Sequence, residues 1–354
     1  MALGVSITVN GASDKELAAA ATLVEVYECM GRCTTYRVQF GVGIAEGDLP
    51  MLADSRIDPG VELGVFTMAR GEPQCLVKGP VYSQAIHLKH GGAGSSVEVI
   101  GGDLSLLMDR EWKSAVWAEA TDSGVVSTIL GAYPDLVQDV EATRAVHAEA
   151  KHTLLQRETD LALVRRLAHR NGAHFWIDFD ETGLGTAHFR RPKLDGDPEG
   201  ELIINIAKAA LDTVDITWDV HRPFQTTAAQ IDLQSVEKID GSVAQSPLIP
   251  LGGKGIAAIA AAPHTTFLAP AADDAGELMA LNEGALIEDG FFLRASCSTT
   301  AAAVGKVLRS HRLVNLRGCG TRHSGNYFCS AVQHSINSNA HKMNLTLLRN
   351  GWGG

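Results

Sequence analysis

Apolar and polar residues alternate along the first hundred residues, and this pattern predicts β-structure there. In the segment TYRVQFGVG, Tyr36, Val38, Phe40 and Val42 alternate with polar residues and glycine. A period of two is typical of a strand with one buried face. The preceding segment LVEVYE (23–28) is joined to it by CMGRC, so the two segments predict a hairpin. Further short alternating segments with glycine-rich turns indicate a barrel or a sandwich.

The pattern changes to a helical period after Asp109. Asp122 or Ser123 is a candidate N-cap for a helix that ends before the next short strand, LVQDV. The segment HTLLQ is interpreted as a link to the following helix. The residues predicted to face inward from the first helix are Val125, Val126, Ile129 and Leu130.

The segment QRETDLALVRRLAHRNGAHFW (156–176) predicts an amphipathic helix, a tight turn and a buried strand. Thr159 or Glu158 can cap the helix, and Asn171-Gly172 ends it, because glycine adopts the left-handed conformation at little cost. Its apolar face comprises Leu161, Val164, Leu167 and Ala168. Its last turn carries the cations Arg165, Arg166, His169 and Arg170, which complement the helix dipole and favour a solvated helix end over a phosphate site.

The remaining chain returns to β-structure around a segment rich in alanine and glycine. Val214, Ile216, Trp218 and Val220 alternate with polar residues, and the tail from LVNLRGCG onward has the same character. The predicted fold class is β-rich α+β, with two tube-like β-barrel modules and an inserted small α/β unit. The predicted divisions are a first barrel (1–108), the α/β insertion (109–180), return strands completing the barrels (181–225), an Ala/Gly-rich linker or peripheral insertion (226–300) and the end of the second barrel (301–354).

Composition and charge exclude several classes of function. The formal net charge is −11, whereas a nucleic-acid-binding protein needs a basic face. No basic segment followed by an apolar core begins the chain, and no apolar run reaches the length of a membrane helix. Six cysteines in a chain of 354 residues without a secretion signal suggest reduced thiols and a cytoplasmic product.

No set of residues forms a convincing active or metal site. His87 and His90 would point in different directions on a strand, and no carboxylate completes a ligand spacing. Cys29 and Cys33 are not followed by a second pair at zinc-finger spacing, so free thiols are favoured. The glycine-rich segments GVGIAEG and GGAGSS lack the spacing of a phosphate-binding loop. The chain is therefore predicted to have no catalytic role, no cofactor and no metal.

Two segments resemble a known family, the phage late control protein D family and the N-terminal hub module of VgrG-type spike proteins. One is Gln156 to Trp176, and the other is VNLRGCGTRHSGNYFCSAVQHSINSNAHKMNLTLLRNG near the C-terminus. The resemblance covers roughly residues 20–225 and 300–354, whereas 226–300 matches nothing in the family pattern, and Val164 stands where the family often has a longer apolar residue. The positions matching the motif are Gln156, Glu158, Thr159, Asp160, Arg166, Leu167, Ala168, Gly172, Phe175, Trp176, Trp218, Gly318, Gly320, Gly325, Tyr327, Val332, His334, Ile336, Leu348, Arg349 and Asn350.

The resemblance implies a mechanical role in the baseplate of a contractile phage tail or a phage-tail-like injection system. Hubs of this family form a homotrimeric, pseudo-sixfold ring that joins a hexameric inner tube to a trimeric spike. The implied partners are further copies of the chain, the inner tube protein, a spike protein and other baseplate proteins, with no membrane and no specific nucleic acid. The chain would be made and assembled in the cytoplasm and then form part of the particle.

Two alternatives to a structural hub remain open at the level of sequence. One is a tail-tip enzyme such as a cell-wall hydrolase, and the other is a receptor- or carbohydrate-binding β protein. The chain ends at RNGWGG with no β-helix repeat, so a stand-alone hub with its spike on another polypeptide is expected. Whether the particle is a phage tail or a cellular system, and what it carries, is left open by the sequence.

Overall fold

The computed structural model describes residues 3–45, 47–69, 71–148, 153–231, 238–260, 262, 264–268 and 275–353. Seven strands and one short helix make up the first part of the chain. Short 3-10 turns at Pro50–Ala53 and Ser55–Ile57 lie between the fourth and fifth strands. The elements are β1 (Val5–Val9), β2 (Ala12–Ser13), α1 (Lys15–Ala20), β3 (Ala21–Cys29), β4 (Thr35–Gly41), β5 (Glu62–Ala69), β6 (Glu72–His87) and β7 (Ser96–Gly102).

The hairpin predicted around CMGRC is confirmed. β3 pairs antiparallel with β4, and Val24 lies opposite Val38 while Glu25 lies opposite Arg37. The inward-facing apolar residues of both strands are buried, because alternate residues of a strand point to opposite faces. This hairpin forms the centre of the main sheet.

A small α/β unit follows the 3-10 turn Leu104–Asp109. In it, β13 pairs antiparallel with β14, β10 pairs parallel with β14, and the helices pack on this small sheet around a separate apolar core. Its elements are β8 (Trp112–Trp117), β9 (Ala120–Thr121), α2 (Asp122–Leu130), β10 (Leu136–Val140), β11 (Val146–His147), β12 (Leu154–Thr159), α3 (Asp160–Arg170), β13 (His174–Phe179) and β14 (Gly185–Arg190).

Two local predictions in this unit need correction, and one open alternative is resolved. Thr121 caps α2 by accepting a hydrogen bond from the amide of Gly124, so Asp122 is the first helical residue. Of the two candidate caps of α3, Thr159 is confirmed, since its side chain accepts a hydrogen bond from the amide of Ala162, whereas Glu158 pairs with Arg166. The segment interpreted as a link is part of β12, which pairs with β8 along its whole length. The predicted inward residues of α2 and of α3 are buried, as expected.

The last part of the chain adds ten strands and three helices. A 3-10 turn at Ile256–Ala258 lies among its loops. The elements are β15 (Glu201–Ile203), β16 (Val214–Trp218), β17 (Gln225–Thr227), β18 (Ala229–Ile231), β19 (Lys238–Asp240), β20 (Thr265–Phe267), α4 (Ala275–Asp289), β21 (Leu293–Thr300), α5 (Ala301–Val304), β22 (Leu313–Arg317), α6 (Gly320–His323), β23 (Gly325–Ile336) and β24 (His341–Arg349).

One sheet of 13 strands connects the two ends of the chain. Its order is β16-β21-β24-β23-β3-β4-β7-β6-β5-β1-β2, with β22 and β15 branching from β23. The N-terminal and C-terminal strands meet where β23 pairs antiparallel with β3, from Ala331 opposite Cys29 to Ile336 opposite Val24. A single apolar core runs beneath both groups of strands. The chain is thus β-rich, as the alternating pattern predicted.

The segment 226–300, expected to be a linker or peripheral insertion, contains two regular elements that pack on the rest of the fold. β21 lies in the main sheet between β16 and β24, so the last β segment begins at Leu293 rather than at residue 301. α4 packs against the α/β unit, where Arg170 pairs with Glu277 and Arg191 Nη2 lies 2.9 Å from Glu283 Oε2. The short paired strands β17–β20 and β18–β19 and the 3-10 turn Ile256–Ala258 make up the rest of its described regular structure.

Candidate functional site

Along most of their length, the eight strands from β16 to β6 in the main sheet have one apolar and one polar face. The exception is the start of β23, where Tyr327 to Val332 are buried on both faces. In β24, Met343, Leu345 and Leu347 are buried, whereas Lys342 and Asn344 are exposed. Directly opposed residues of antiparallel strands share a face, so the register carries this division across the sheet. For example, Asn344 lies opposite both Ser298 and Gln333. The apolar face covers the core, and the polar face is the candidate functional site.

The polar face consists mainly of hydroxyl, amide and paired charged side chains. Its strands run side by side without a gap, so it forms one extended polar surface rather than a cleft. Its polar and charged members are Asp215, Thr217, Arg294, Ser296, Ser298, Thr300, Lys342, Asn344, Thr346, Gln333, Ser335, Glu25, Tyr27, Thr35, Arg37, Gln39, Ser96, Glu98, Ser83 and His87.

Charges on the polar face cancel, although the chain carries a formal charge of −11. Arg37 donates to Glu25 on one side, and its Nη1 lies 3.1 Å from Glu98 Oε2 on the other. Gln39 Nε2 also donates to Glu98 Oε1 at 3.3 Å. The carboxylates of Glu25, Glu98 and Asp215 are matched in number by the cations Arg37, Arg294 and Lys342. The face therefore has no net attraction for acidic or for basic chains.

The two outer strands of this polar face each have an unpaired edge among the described residues. β16 pairs only with β21. The second half of β6 (81–87) pairs with β7. On its other side, β6 is covered only as far as Val81, which bonds to Gly60 and Val61, so the edge 82–87 is open. Large apolar side chains stand exposed beside these edges: Trp218 is 52% exposed and Ile86 is 54% exposed. Trp218 was expected to alternate inward, but β16 is an edge strand and leaves it uncovered.

The motif at Gln156–Trp176 lies in the α/β unit and not on the polar face. Gln156, only 1% exposed, donates from Nε2 to Asp160 Oδ1 at 2.9 Å and accepts from Trp117 Nε1 at 3.2 Å. Asp160 also accepts from Lys113 Nζ at 2.6 Å and from the Tyr133 hydroxyl at 2.9 Å. Burial disfavours the ionised form of Asp160, but these partners outweigh it and lower the pKa of its carboxyl. The network fixes the start of α3.

The other positions of this motif have structural environments too. Arg166 is exposed and bonds to Glu158 and to the carbonyl of Leu155. Gly172 has φ +63, and a Cβ there would lie 2.8 Å from the Cα of Gly284 in α4. The buried apolar members are Leu167, Ala168, Phe175 and Trp176.

Two of the four cations of α3 are less solvated than the sequence suggested, whereas Arg166 and His169 are exposed as expected. Arg165 is half-buried and its Nη2 lies 3.0 Å from the thiol sulfur of Cys33. Arg170 lies between Asp122 and Glu277 with only 14% of its side chain exposed. The α/β unit meets other parts of the fold on both sides of α3, and this covers the helix end.

The C-terminal motif surrounds a buried arginine. The guanidinium of Arg349 donates to the carbonyls of Leu251, Ser324 and Gly353, and it lies 5.3 Å from the centre of the Tyr327 ring. Gly325 has φ +133, and a Cβ there would lie 2.6 Å from Arg349 Nη2. This close approach explains why the position requires glycine.

The remaining C-terminal motif residues close turns or fill the core. Gly318 and Gly320 both have positive φ, and the Asn350 side chain holds the amide of Leu251 and the carbonyl of Ile249. Val332 and Ile336 are buried in the main core, whereas Leu348 is only partly buried. His334 is fully buried beside His341 and Glu28. Sequence reasoning missed Glu28 and its partner Arg309, because their charges meet only through long-range strand pairing.

The candidate metal and thiol residues do not converge. Within the described ranges no group of three or more His, Cys, Asp and Glu side chains could hold a metal ion. All six cysteines are free thiols, and Cys33 Sγ lies 2.8 Å from the hydroxyl of Ser105. His87 and His90 lie at the exposed end of β6 and in the turn that follows. None of the described helices has the length and hydropathy needed to cross a membrane.

A family model and several solved structures match this chain. A family model described as "Alg8 N-terminal domain" matches residues 2–338. No curated protein matches the chain significantly. A tail protein from Neisseria meningitidis MC58 superposes with a TM-score of 0.63 at 14% identity, covering 98% of this chain and 96% of the other. The 43 kDa tail protein of prophage MuSo2 from Shewanella oneidensis gives 0.65 at 11% identity, covering 98% of each chain.

A third similar structure comes from a bacterial secretion system. It is an E. coli protein described as a component of the type VI secretion system with structural similarity to T4 bacteriophage tail proteins gp27 and gp5. It superposes with a TM-score of 0.59 at 12% identity and covers 97% of this chain and 76% of its own. At these identities the likeness establishes the fold, which is that of phage tail proteins.

Proposed function

We propose that this chain, which belongs to the family described as the Alg8 N-terminal domain, is a structural hub of a contractile phage tail or phage-tail-like injection system. The observation that carries the proposal is the extended polar face of the main sheet, which ends in two open edges. The fold shared with tail proteins and with a type VI secretion component supports a role in such a machine. The resemblance to late control protein D and VgrG-type hubs rests on the two sequence motifs.

In this proposal the hub is a homotrimer whose sheets close into one ring. Each chain contributes two groups of four strands, β16-β21-β24-β23 and β3-β4-β7-β6, joined by the pairing of β23 with β3. Three copies would supply six such groups and 24 strands, which matches a hexameric tube on one side and a trimeric spike on the other. The β16 edge of one copy would pair with the 82–87 edge of the next, a heterologous contact that closes on itself.

Ring closure would pair the open strand edges of the single chain and cover the apolar side chains beside them. Unpaired strand edges promote uncontrolled association, and pairing between subunits removes them. Burial of the half-exposed Trp218 and Ile86 beside the new strand pair would add apolar stabilisation of about 1 kcal/mol per side chain. The polar face would then line the lumen, where its balanced charges let cargo pass without adhering. The chain would have a structural role as an adaptor. Its partners would be the inner tube, the spike and the other baseplate proteins.

Edge variants test the ring. Trp218→Asp and Ile86→Asp place a charge at exposed positions, so the single chain should keep its fold while the trimer is lost. Ile231→Asp is the matched control, since Ile231 is 60% exposed in the peripheral hairpin β18–β19. Light scattering of the purified protein with its tube or spike partner measures the trimer, and circular dichroism verifies the fold. Retention of the trimer in both edge variants would contradict the proposed closure.

Deletion of the gene in the producing strain tests the role itself. Without the hub, the tube and spike have no junction, so electron microscopy should find no assembled particles. Assembled particles of normal length in the deletion strain would refute the hub role. A reconstruction that locates this chain in the sheath, the fibres or the payload would refute it as well.

A further inference from the structure

A small recess lies where the α/β unit meets the C-terminal strands. Its volume is about 50 Å³. Trp176 on β13 and Arg190 at the end of β14 line one side, and His311 and Arg312, in the turn before β22, line the other. The recess is thus formed by two parts of the chain that are distant in sequence.

Stacked rings fix the geometry of the recess. The Trp176 indole lies parallel to the His311 imidazole, with ring centres 3.9 Å apart and planes 2° apart. On its other side the indole stacks on His188, with ring centres 4.6 Å apart. His311 also adopts φ +60, a conformation that non-glycine residues rarely take unless their surroundings enforce it. The rings are therefore held in place before any ligand arrives.

Three lining residues each have a buried nitrogen with no hydrogen-bond partner. They are Trp176 Nε1, His311 Nε2 and Arg190 Nε. Trp176 and His311 are only 8% and 7% exposed, so bulk water does not satisfy these atoms. An unpaired buried donor is costly, and native structures rarely retain three such atoms around one recess unless another group completes the bonding.

Basic side chains line the recess, and each of its arginines pairs with a carboxylate outside the lining. Arg190, Arg191, Lys193 and Arg312 line it, and no acidic residue does. The arginines bond to carboxylates outside the lining, for example Arg190 Nη1 to Asp139 at 2.9 Å and Arg312 Nη2 to Asp178 at 2.7 Å. Lys193 is exposed and forms no ion pair within the described part of the chain.

We propose that this recess binds a small tetrahedral oxyanion of the phosphate and sulfate class. A volume of about 50 Å³ exceeds the ~10–15 Å³ that a single water requires, but it does not admit a peptide or a nucleoside. Indole, guanidinium and imidazole N–H groups donate charge-assisted hydrogen bonds to such an ion, and the arginine fork fits its oxygens. The inference is independent of the proposed hub role.

The imidazole of His311 can take part as a neutral donor. Burial holds the pKa of His311 well below its ordinary value, so the ring is neutral near pH 7. Its Nδ1 lies 3.1 Å from the hydroxyl of Ser310, and a proton donated by that hydroxyl leaves the hydrogen on Nε2, which faces no other partner. The bound ion would join β13 and β14 to the turn before β22.

Titration with inorganic phosphate tests this site. The full-length protein is held in a chloride buffer, and phosphate is added against chloride at equal ionic strength, with calorimetry and thermal melting as readouts. We expect saturable binding of one ion per chain, and competition by sulfate. Trp176→Phe keeps the ring stack and removes the N–H, so it should weaken phosphate binding about tenfold.

A variant of an exposed lysine tests phosphate binding without altering the buried core, so a loss of binding would not be due to misfolding. Lys193→Gln alters an exposed side chain and should weaken phosphate binding several-fold, whereas Lys15→Gln, an exposed lysine on α1, should leave it unchanged. Circular dichroism verifies that all variants fold. Phosphate with no effect beyond chloride would overturn the proposal, as would equal losses in Lys193→Gln and Lys15→Gln, or unchanged binding in Trp176→Phe.

Discussion

Glu28 and Arg309 form a buried ion pair, with Arg309 Nε 2.5 Å from Glu28 Oε1 and the two residues 281 positions apart in the chain. The side chains are 2% and 8% exposed. Arg309 also donates to the carbonyls of Cys75 and Leu76, and Glu28 accepts from the amide of Ser310. The pair thus joins three segments, which are β3, β6 and the turn before β22.

Breaking this pair should destabilise the fold strongly. Arg309→Met leaves the Glu28 carboxylate buried without its main partner, so the free energy of unfolding should fall by about 3–5 kcal/mol. The control is Arg317→Met, since Arg317 forms an exposed pair with Glu201, worth under about 1 kcal/mol. Urea denaturation measures both. A loss at Arg309 no larger than at Arg317 would contradict the structural role of the pair.

Stability should also fall in acid because of Glu28. Burial disfavours its ionised form, but Arg309 and His334 outweigh burial and lower the pKa of Glu28 to about 2. A lowered folded-state pKa stabilises the protein above the unfolded value, near 4.5, and this contribution is lost as the pH falls from there toward 2. Denaturant melts between pH 7 and pH 3 should show this loss. Glu28→Gln should be less stable at pH 7 and should lose less on acidification; an equal slope would refute the assignment.

The two faces of α3 should respond differently to truncation. Leu167 is fully buried in the core of the α/β unit, so Leu167→Ala should lower the free energy of unfolding by about 2–5 kcal/mol. Arg166 is exposed and pairs with Glu158 at the surface, so Arg166→Ala should cost under about 1 kcal/mol. Thermal or urea melts compare them. Equal small effects would mean that the faces are wrongly assigned.

The contact between Gly172 and α4 gives a further prediction. A Cβ on Gly284 would lie 2.8 Å from the amide nitrogen of Gly172 and 2.9 Å from the carbonyl of Arg170. Gly284→Ala should therefore destabilise the protein, although alanine is favoured over glycine in a helix by about 1 kcal/mol. Gly124→Ala in α2 is the control, because its Cβ would meet only the Thr121 hydroxyl at 3.2 Å. A higher melting temperature for Gly284→Ala than for Gly124→Ala would show that the backbones can separate.

Elements with a strong periodic pattern could be predicted from the sequence, and α4 could not. The alternation in β4 and the Asn171-Gly172 stop signal are local features, and the structure agrees with both. In α4 the residues facing the protein include Gly284 and Asn282 beside Leu278 and Leu286, so no apolar stripe marks the helix. The position of α4 depends on small residues that allow close contact with the α/β unit. The period of apolar residues along the chain does not indicate such a contact.

The candidate site could be only partly predicted from the sequence, because it too depends on contacts between distant parts of the chain. Polar alternation marks one face of each strand, but which strands lie side by side depends on the pairing of β23 with β3. The net charge of −11 does not reveal the charge balance of this face, because Glu25, Arg37 and Glu98 neutralise one another only in the folded sheet. The recess around Trp176 and His311 combines residues whose proximity no local pattern predicts.

The pairing of β23 with β3 also constrains the order in which the chain can fold. β3 emerges early during synthesis, but its partner is almost the last strand to be made, and such non-local pairing is slow. Until then one edge of β3 and the carboxylate of Glu28 lack their partners. A nascent or truncated chain therefore cannot complete the sheet, and only finished polypeptides would present the surface from which a ring can be built.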